Sequence, residues 1–153
     1  MSVDAKLNEL GVTLPEAPKP IAAYVPSMRS GNLLFVSGQL PTKDGKLLAT
    51  GPVPSATSIE AGQAAAKQCV LNALAVVKAS LGGDWSKLVK AVRIGAFVQS
   101  DAGFADQAKV ANGASEFLQQ VLGEAGRHAR AAVGTNTLPL NASVEVEFIF
   151  EVK

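Results

Sequence analysis

The stretch Ile59–Ser80 limits what this chain can become more than any other segment. Its apolar positions Ala66, Val70, Ala73, Leu74 and Val77, continued by Leu81, step by three and four residues. On a 3.6-residue turn they form a stripe along one side of a long helix, and such a stripe must lie against something flat. Thr57 followed by Glu60 has capping-box spacing ahead of it. Gly82-Gly83 offers the left-handed terminus behind it.

The flat partner is written in the other segments. Leu33-Leu34-Phe35-Val36 has the continuous apolar character of a strand buried on both faces, predicted over 32–37 and ended by Gly38. A weaker strand at 21–25 precedes it, and the Ser30-Gly31-Asn32 turn makes the pair a hairpin. Along Leu88–Gln99 the period switches to two, with Val92, Ile94, Ala96 and Val98 alternating. Ser100-Asp101 can cap a second helix over 104–122, lined by Phe104, Ala108, Ala111, Leu118 and Leu122 and ended by Gly123. The segments 131–137 and 143–152 read as the last two strands. In the final one Val144, Val146, Phe148 and Phe150 share a face, and Glu145, Glu147, Ile149 and Glu151 share the other.

Residues 1–20 read as a lead-in arm, a short helix at 4–10 followed by Pro15, Pro18 and Pro20, so that 21–153 form one domain. The stretch 41–58 reads as loop, with a turn at Asp44-Gly45 and regular structure barred by Pro52 and Pro54. The order β-β-α-β-α-β-β predicts an α+β fold in which helices cover one face of a sheet. The acidic second face of the last strand then meets either water or another subunit.

Composition closes off several classes. With 153 residues, 48% hydrophobic, and a mean hydropathy of +0.22, the chain has the apolar content of a packed globule. A net charge of +1 lacks the basic excess with which a phosphate-backbone binder releases counterions, so no nucleic acid partner is expected. No uncharged apolar run approaches the ~20 residues of a membrane span. The opening Met-Ser-Val-Asp-Ala-Lys shows no apolar core behind a basic start, so a cytoplasmic location is the expectation. The single cysteine, Cys69, excludes an internal disulfide and a Cys-cluster zinc site, and it reads as a small buried thiol.

Chemistry has few places to sit. There is no P-loop, no dinucleotide glycine fingerprint, no His-Glu-x-x-His and no nucleophile elbow. One histidine, His128, gives a metal site or a Ser-His-Asp triad little to build on, and no metal is expected. Trp85 reads as an anchor for the end of the first long helix. Arg130 precedes one strand and Glu145 projects from the next. If those strands pair, the two can share a sheet surface. Such a pair is either a solvated ion pair at a sheet edge or a site where arginine grips a carboxylate and glutamate orients water.

The residues together resemble the RidA/YjgF family, also called L-PSP endoribonuclease-like. Tyr24-Val25 with Gly31-Asn32 is similar to its opening hairpin, and Phe35-Val36-Ser37-Gly38-Gln39-Leu40-Pro41 to its Ser-Gly-Gln-x-Pro signature. Asn112 falls where the family has a site asparagine. Arg130, Leu138-Pro139 and Val144-Glu145-Val146-Glu147 resemble its C-terminal signature. The resemblance implies a chorismate-mutase-like α+β fold, a mixed sheet with two helices on one face, assembled as a trimeric barrel with sites in the clefts between subunits. It implies hydrolysis of small reactive 2-imino or 2-amino-enoic acids to 2-keto acids and ammonia, without a cofactor. Arg130 would then bind the substrate carboxylate and Glu145 would position the attacking water. Tyr24 and Asn112 would line the cleft, and Ser37 would support its wall.

Several positions depart from the family pattern. Ala132 stands where many deaminating members carry cysteine, which leaves its backbone N–H but no thiol. Ala22-Ala23 replaces a common Gly-Pro. The loop after Pro41 is longer, and Pro52 and Pro54 are placed to lay it over the cleft. The run His128-Ala129-Arg130-Ala131-Ala132-Val133-Gly134 marks a distinct longer branch. Two other functions therefore stand beside the deaminase: a non-catalytic module holding a 2-keto acid in the same cleft, and a ribonuclease. Near-zero net charge, 5% aromatic residues and one histidine give the ribonuclease little physical support.

Overall fold

The computed structural model describes residues 2–19 and 23–153. Along them run α1 (Val3–Glu9), β1 (Ser27–Ser30), β2 (Leu33–Gln39), β3 (Thr42–Lys43), β4 (Lys46–Leu47), α2 (Ile59–Ser80), β5 (Leu88–Gln99), α3 (Gln107–Leu122), β6 (Ala129–Thr135) and β7 (Val144–Val152). Five strands form one sheet in the order β1-β2-β7-β5-β6, and β3 and β4 form a small separate hairpin. All pairings in the large sheet are antiparallel except β5–β6, the pair joined through α3, as a helical crossover requires.

Alternation along β7 sets the layers. Val144, Val146, Phe148, Phe150 and Val152 are buried, and the residues between them are half-exposed. The buried set meets Ile94, Ala96 and Val98 of β5 and the helices above them. The Phe148 and Phe150 rings stack at 5.9 Å. α2 is buried far beyond its predicted stripe, with Ala65, Cys69, Leu71 and Val76 enclosed as well. Burying a Val or Leu side chain contributes about 1.5–3 kcal/mol, against about 1 kcal/mol for a cap, so packing decides where this helix lies. α3 presses on it closely enough that a side chain at Gly113 would meet the Gln63 backbone.

Several boundaries differ from expectation, each for a local reason. Of the expected 21–25 strand, residues 21 and 22 lie outside the described residues. The strand that pairs with β2 starts later, at Ser27, after Pro26. β2 is not buried on both faces, because Phe35 is 41% exposed while Leu34 and Val36 are enclosed, and the strand runs past Gly38 to Gln39. Ser58, not Thr57, caps α2, accepting from the Ala61 N–H at 3.0 Å, because Thr57 Oγ1 donates to the Thr50 carbonyl. α3 begins at Gln107 because the Asp101 carboxylate is taken by the Ser55 N–H and hydroxyl. Its buried side is Val110, Ala111, Ala114, Phe117, Leu118 and Val121, which leaves Ala108 exposed.

A bulge between Ala91 and Arg93 resets the phase of β5, so Ala91 is buried in place of Val92. The arm is not detached from the core, since Leu7 is 3% exposed and Asp4 pairs with Lys78 at 2.9 Å. Trp85 packs beside the end of α2, with the Lys78 ammonium 6.0 Å from its ring. Among the described residues no helix is long and apolar enough to cross a membrane.

The α2–α3 contact generates a prediction. In Gly113→Ala the new Cβ lies 2.6 Å from Gln63 Cα, a backbone atom that cannot swing aside. The overpacking cost of about 3 kcal/mol exceeds the gain of about 1 kcal/mol in helix propensity. A net loss of about 2 kcal/mol lowers Tm by about 4–8 °C at this length, read by thermal circular dichroism. An unchanged Tm refutes the close crossing.

Candidate active site

Arg130 sits on β6, an edge strand, opposite Ile94 of β5 in parallel register. Ile94 faces the core, so Arg130 and Ala132 lie on the helix side of the sheet. There α3 presents Asn112 and Ser115 one turn apart. Arg130 Nη1 donates to Asn112 Oδ1 at 2.8 Å and to Ser115 Oγ at 3.1 Å. Both Nη1 hydrogens are thereby engaged. The Nε–H and Nη2–H edge of the guanidinium has no partner among the described residues, and that edge is the fork that grips a carboxylate. Ala132 packs against the core next to it.

Glu145 faces the other way. Its register partner is Phe97 of β5, and it lies between buried Val144 and Val146 on the open face. Strand β5 separates β6 from β7, so their backbones stand roughly 10 Å apart. The expectation that Arg130 and Glu145 share a sheet surface is therefore corrected: their strands are not neighbours, and their side chains leave opposite faces.

Around Glu145 a second cluster forms. β2 bulges between Val36 and Gln39, which places Ser37 and Gly38 out of register with β7. A side chain at Gly38 would overlap the Glu145 carboxylate, so glycine there leaves room for it. Ser37 Oγ donates to the Val25 carbonyl at 2.8 Å, and Ser37 N–H to the Pro26 carbonyl at 2.9 Å. These bonds hold the segment behind Tyr24, whose side chain is 65% exposed. From below, Asn72 Nδ2 of α2 donates to the Leu40 and Thr42 carbonyls. A cleft of about 650 Å³ results, lined by Tyr24, Ser37, Gly38, Asn72 and the β3–β4 turn at Asp44-Gly45. Pro52 and Pro54 do not cover it. Their segment is tied instead to Gln99 and Asp101 through Val53 and to Asn141 through Gly51.

Glu145 is electrostatically unsettled. Glu147, two residues on, has Arg93 at 3.1 Å, whereas Glu145 has no ion pair among the described residues. Burial first, and the Glu147 charge second, push its carboxyl above the usual glutamate range. The folded chain thus holds the Glu145 proton more tightly than the unfolded chain does. Its contribution to stability is greatest below the ordinary glutamate pKa and is lost as pH rises through the raised one. A carboxylate kept at such a disadvantage beside a cleft is a candidate for chemistry.

The predicted residues thus fall into two groups. Tyr24 and Ser37 line the cleft, Glu145 lies against its Gly38 wall without lining it, and Asn112, Arg130 and Ala132 gather at the β6 edge. The structure adds Ser115 to the predicted residues, and its place three residues after Asn112 on one helix is the sequence signal for it. His128 is held at both ring nitrogens, with Nε2 2.9 Å from Ser115 Oγ and Nδ1 2.6 Å from the Gly126 carbonyl oxygen. Cys69 is fully enclosed, and burial pushes its thiol pKa far up, so it is unreactive at neutral pH. Among the described residues no group of three metal-ligating side chains occurs.

A mixed sheet with both long helices on one face defines the chorismate-mutase-like α+β class. The sequence profile described as "YjgF/chorismate mutase-like, putative endoribonuclease" matches residues 4–152, and the chain belongs to that family. It is 42% identical over 151 residues to Protein TCP17 of Trypanosoma cruzi, across 98% of this chain and 94% of that one. The crystal structure of Atu1372, a protein of unknown function from Agrobacterium tumefaciens, superposes with a TM-score of 0.93 at 50% identity, across 99% of this chain and 92% of that one. A 2-iminobutanoate/2-iminopropanoate deaminase of Dermatophagoides farinae is 29% identical, over 93% of this chain and 95% of its own.

The space at Gly38 makes a local prediction. Gly38→Ala displaces the Glu145 carboxylate, a flexible side-chain end, so a strain of about 0.3 kcal/mol lowers Tm by only about 1 °C. The Glu145 carboxyl, moved by the new methyl, titrates at a different pH in carbon NMR, and an unchanged titration refutes its close approach to Gly38.

Proposed function

We propose that the protein hydrolyses small 2-imino or 2-amino-enoic acids to 2-keto acids and ammonia, at sites each built from two copies of the chain. Complementary deficits carry this reading. Among the described residues, Arg130 offers an unengaged fork with no acid paired to it, and Glu145 is a carboxylate with no cation paired to it. Because they leave opposite faces of one sheet, a contact that joins them is head-to-tail, and such contacts are stable when they close as a ring. Three copies make the ring proposed here. Met28, Phe35 and Val133, exposed on the open face, provide apolar surface for it to bury. The deaminase among the relatives supports the choice of reaction.

In this site the Arg130 fork takes the substrate carboxylate, with Asn112 and the Ala132 backbone beside it. Tyr24 and Ser37 of the neighbouring copy wall the cleft. Glu145 of that copy accepts a hydrogen bond from water and takes its proton as the oxygen bonds to C2. The C=N π pair moves to nitrogen. Glu145 passes the proton on to that nitrogen, giving a carbinolamine. It then takes the remaining hydroxyl proton and delivers it to the amino nitrogen as the C–N bond breaks, the carbonyl forms and ammonia leaves. An enamine first gains a proton at C3 and gives up one from nitrogen to become the imine. With one histidine and a net charge of +1, the chain is poorly equipped to cleave RNA.

Arg130→Ala removes a charge-assisted pair of about 1.5–3 kcal/mol, so affinity for a 2-keto acid falls about 10- to 100-fold in calorimetry. Arg130→Ala and Glu145→Gln are each inactive alone. Denatured together in equal amounts and refolded, they regain about a quarter of wild-type activity, because half the forks and half the carboxylates are intact and pair at random. No recovery places both residues in one chain's site and overturns the shared arrangement. Keto-acid binding without turnover in the wild type selects the non-catalytic reading.

The raised Glu145 pKa sets the acid limb of kcat/KM. The water-activating carboxylate must be ionised, so the rate falls as pH drops through a value above the ordinary glutamate pKa of about 4.3. Glu147→Gln removes a like charge and moves that limb to lower pH. A limb that stays put assigns it to another group.

A further inference from the structure

Arg130 is one end of a hydrogen-bonded series. Its Nη1 donates to Ser115 Oγ at 3.1 Å, Ser115 Oγ lies 2.9 Å from His128 Nε2, and His128 Nδ1 lies 2.6 Å from the Gly126 carbonyl oxygen. The protons follow by counting. A carbonyl oxygen only accepts, so Nδ1 carries the hydrogen. In the neutral ring Nε2 is then an acceptor, and the one Ser115 hydroxyl hydrogen goes to it. That leaves Ser115 Oγ with lone pairs alone toward Arg130, whose guanidinium can only donate. Every member has a single role compatible with its neighbours.

The far end of the series is fixed. Gly126 is buried, and a Cβ there would lie 2.7 Å from Gln119 Cα, so the turn carrying the carbonyl is pressed against α3 itself. Ser115 and Asn112 stand on the same helix. Arg130 Nη1 is therefore held at two points that both refer back to one rigid element. An exposed arginine without such a hold spreads over many rotamers and offers its fork in many directions.

Resting on the reading of Arg130 as the carboxylate anchor, we infer that His128 is a positioning residue. Acting through Ser115, it fixes Nη1 and so aims the Nε/Nη2 fork at the substrate carboxylate. The histidine matters as an acceptor at Nε2 and a donor at Nδ1, and two substitutions separate those properties. His128→Gln sets a side-chain oxygen near the Nε2 position and keeps an acceptor for Ser115. His128→Asn keeps a donor to Gly126 near the Nδ1 position and leaves the Ser115 hydroxyl without its acceptor.

The test has two arms. The first is nitrogen NMR on protein labelled in its single imidazole, at about pH 8, where an ordinary histidine is neutral. The Nδ1–H tautomer is expected, and the Nε2–H tautomer overturns the series. The second is calorimetry with 2-oxobutanoate on the folded oligomer. His128→Asn and Ser115→Ala are expected to weaken binding about tenfold, and His128→Gln by no more than about twofold. Equal binding by wild type, His128→Asn and Ser115→Ala overturns the positioning role and leaves the anchor intact. Equal loss in His128→Gln and His128→Asn assigns the effect to general disruption and also overturns it. Absence of binding in the wild type, or wild-type binding unchanged by Arg130→Ala, removes the anchor and this role with it. If His128→Asn does not fold, Ser115→Ala and the tautomer decide.

Discussion

Period-two alternation along β7, with β5 lodged between it and β6, governs everything at the site. The alternation sends Val144, Val146, Phe148 and Phe150 to the helices and leaves Glu145 and Glu147 on the open face. The parallel register of β6 with β5 sends Arg130 to the helices instead. A sheet has two faces, and the two charged groups sit on different ones. No rotamer change brings them together, because the barrier between them is the hydrogen-bonded sheet itself.

Each charged group is then shaped by the layer it meets. Arg130 meets the middle of α3 and is held there by Asn112 and Ser115, which fixes its direction without neutralising its charge. Glu145 meets the bulged end of β2. There Gly38 gives it space and partial burial raises its pKa. The same bulge is secured by Ser37, whose two bonds to residues 25 and 26 place Tyr24 at the rim. The short motif around Gly38 thus acts as backbone mechanics: one small residue for clearance and one hydroxyl for anchoring.

Much of this was legible in the sequence, and the failures have physical causes. The stripe on α2 and the alternation of β7 are long, strongly periodic signals, and both elements lie where the pattern put them. Cap positions slipped because Thr57 and Asp101, both able to cap, are engaged in tertiary hydrogen bonds to Thr50 and Ser55. In β5 a bulge reset the phase, which no count of apolar residues reveals. The separation of Arg130 from Glu145 was the costly miss. Their meeting depended on the last two strands being paired, and the parallel crossover through α3 carries β6 to the far side of β5 instead. Once β6 is parallel and at the edge, the face of Arg130 follows from register, which the sequence does not specify.

The division of the site also bears on the strength of binding. In one copy the Arg130 fork is bathed in water, and an exposed pairing of arginine with carboxylate is worth at most about 1 kcal/mol. A charge-assisted pairing reaches about 1.5–3 kcal/mol, a difference of about 2- to 30-fold in affinity. If a second chain brings its open face against the β6 edge, Met28 and Phe35 are surfaces that can exclude that water, and Glu145 arrives with them. On the proposed reading, partner contact and desolvation become one event, and a small acid is held firmly only where Glu145 of the second copy is already in place.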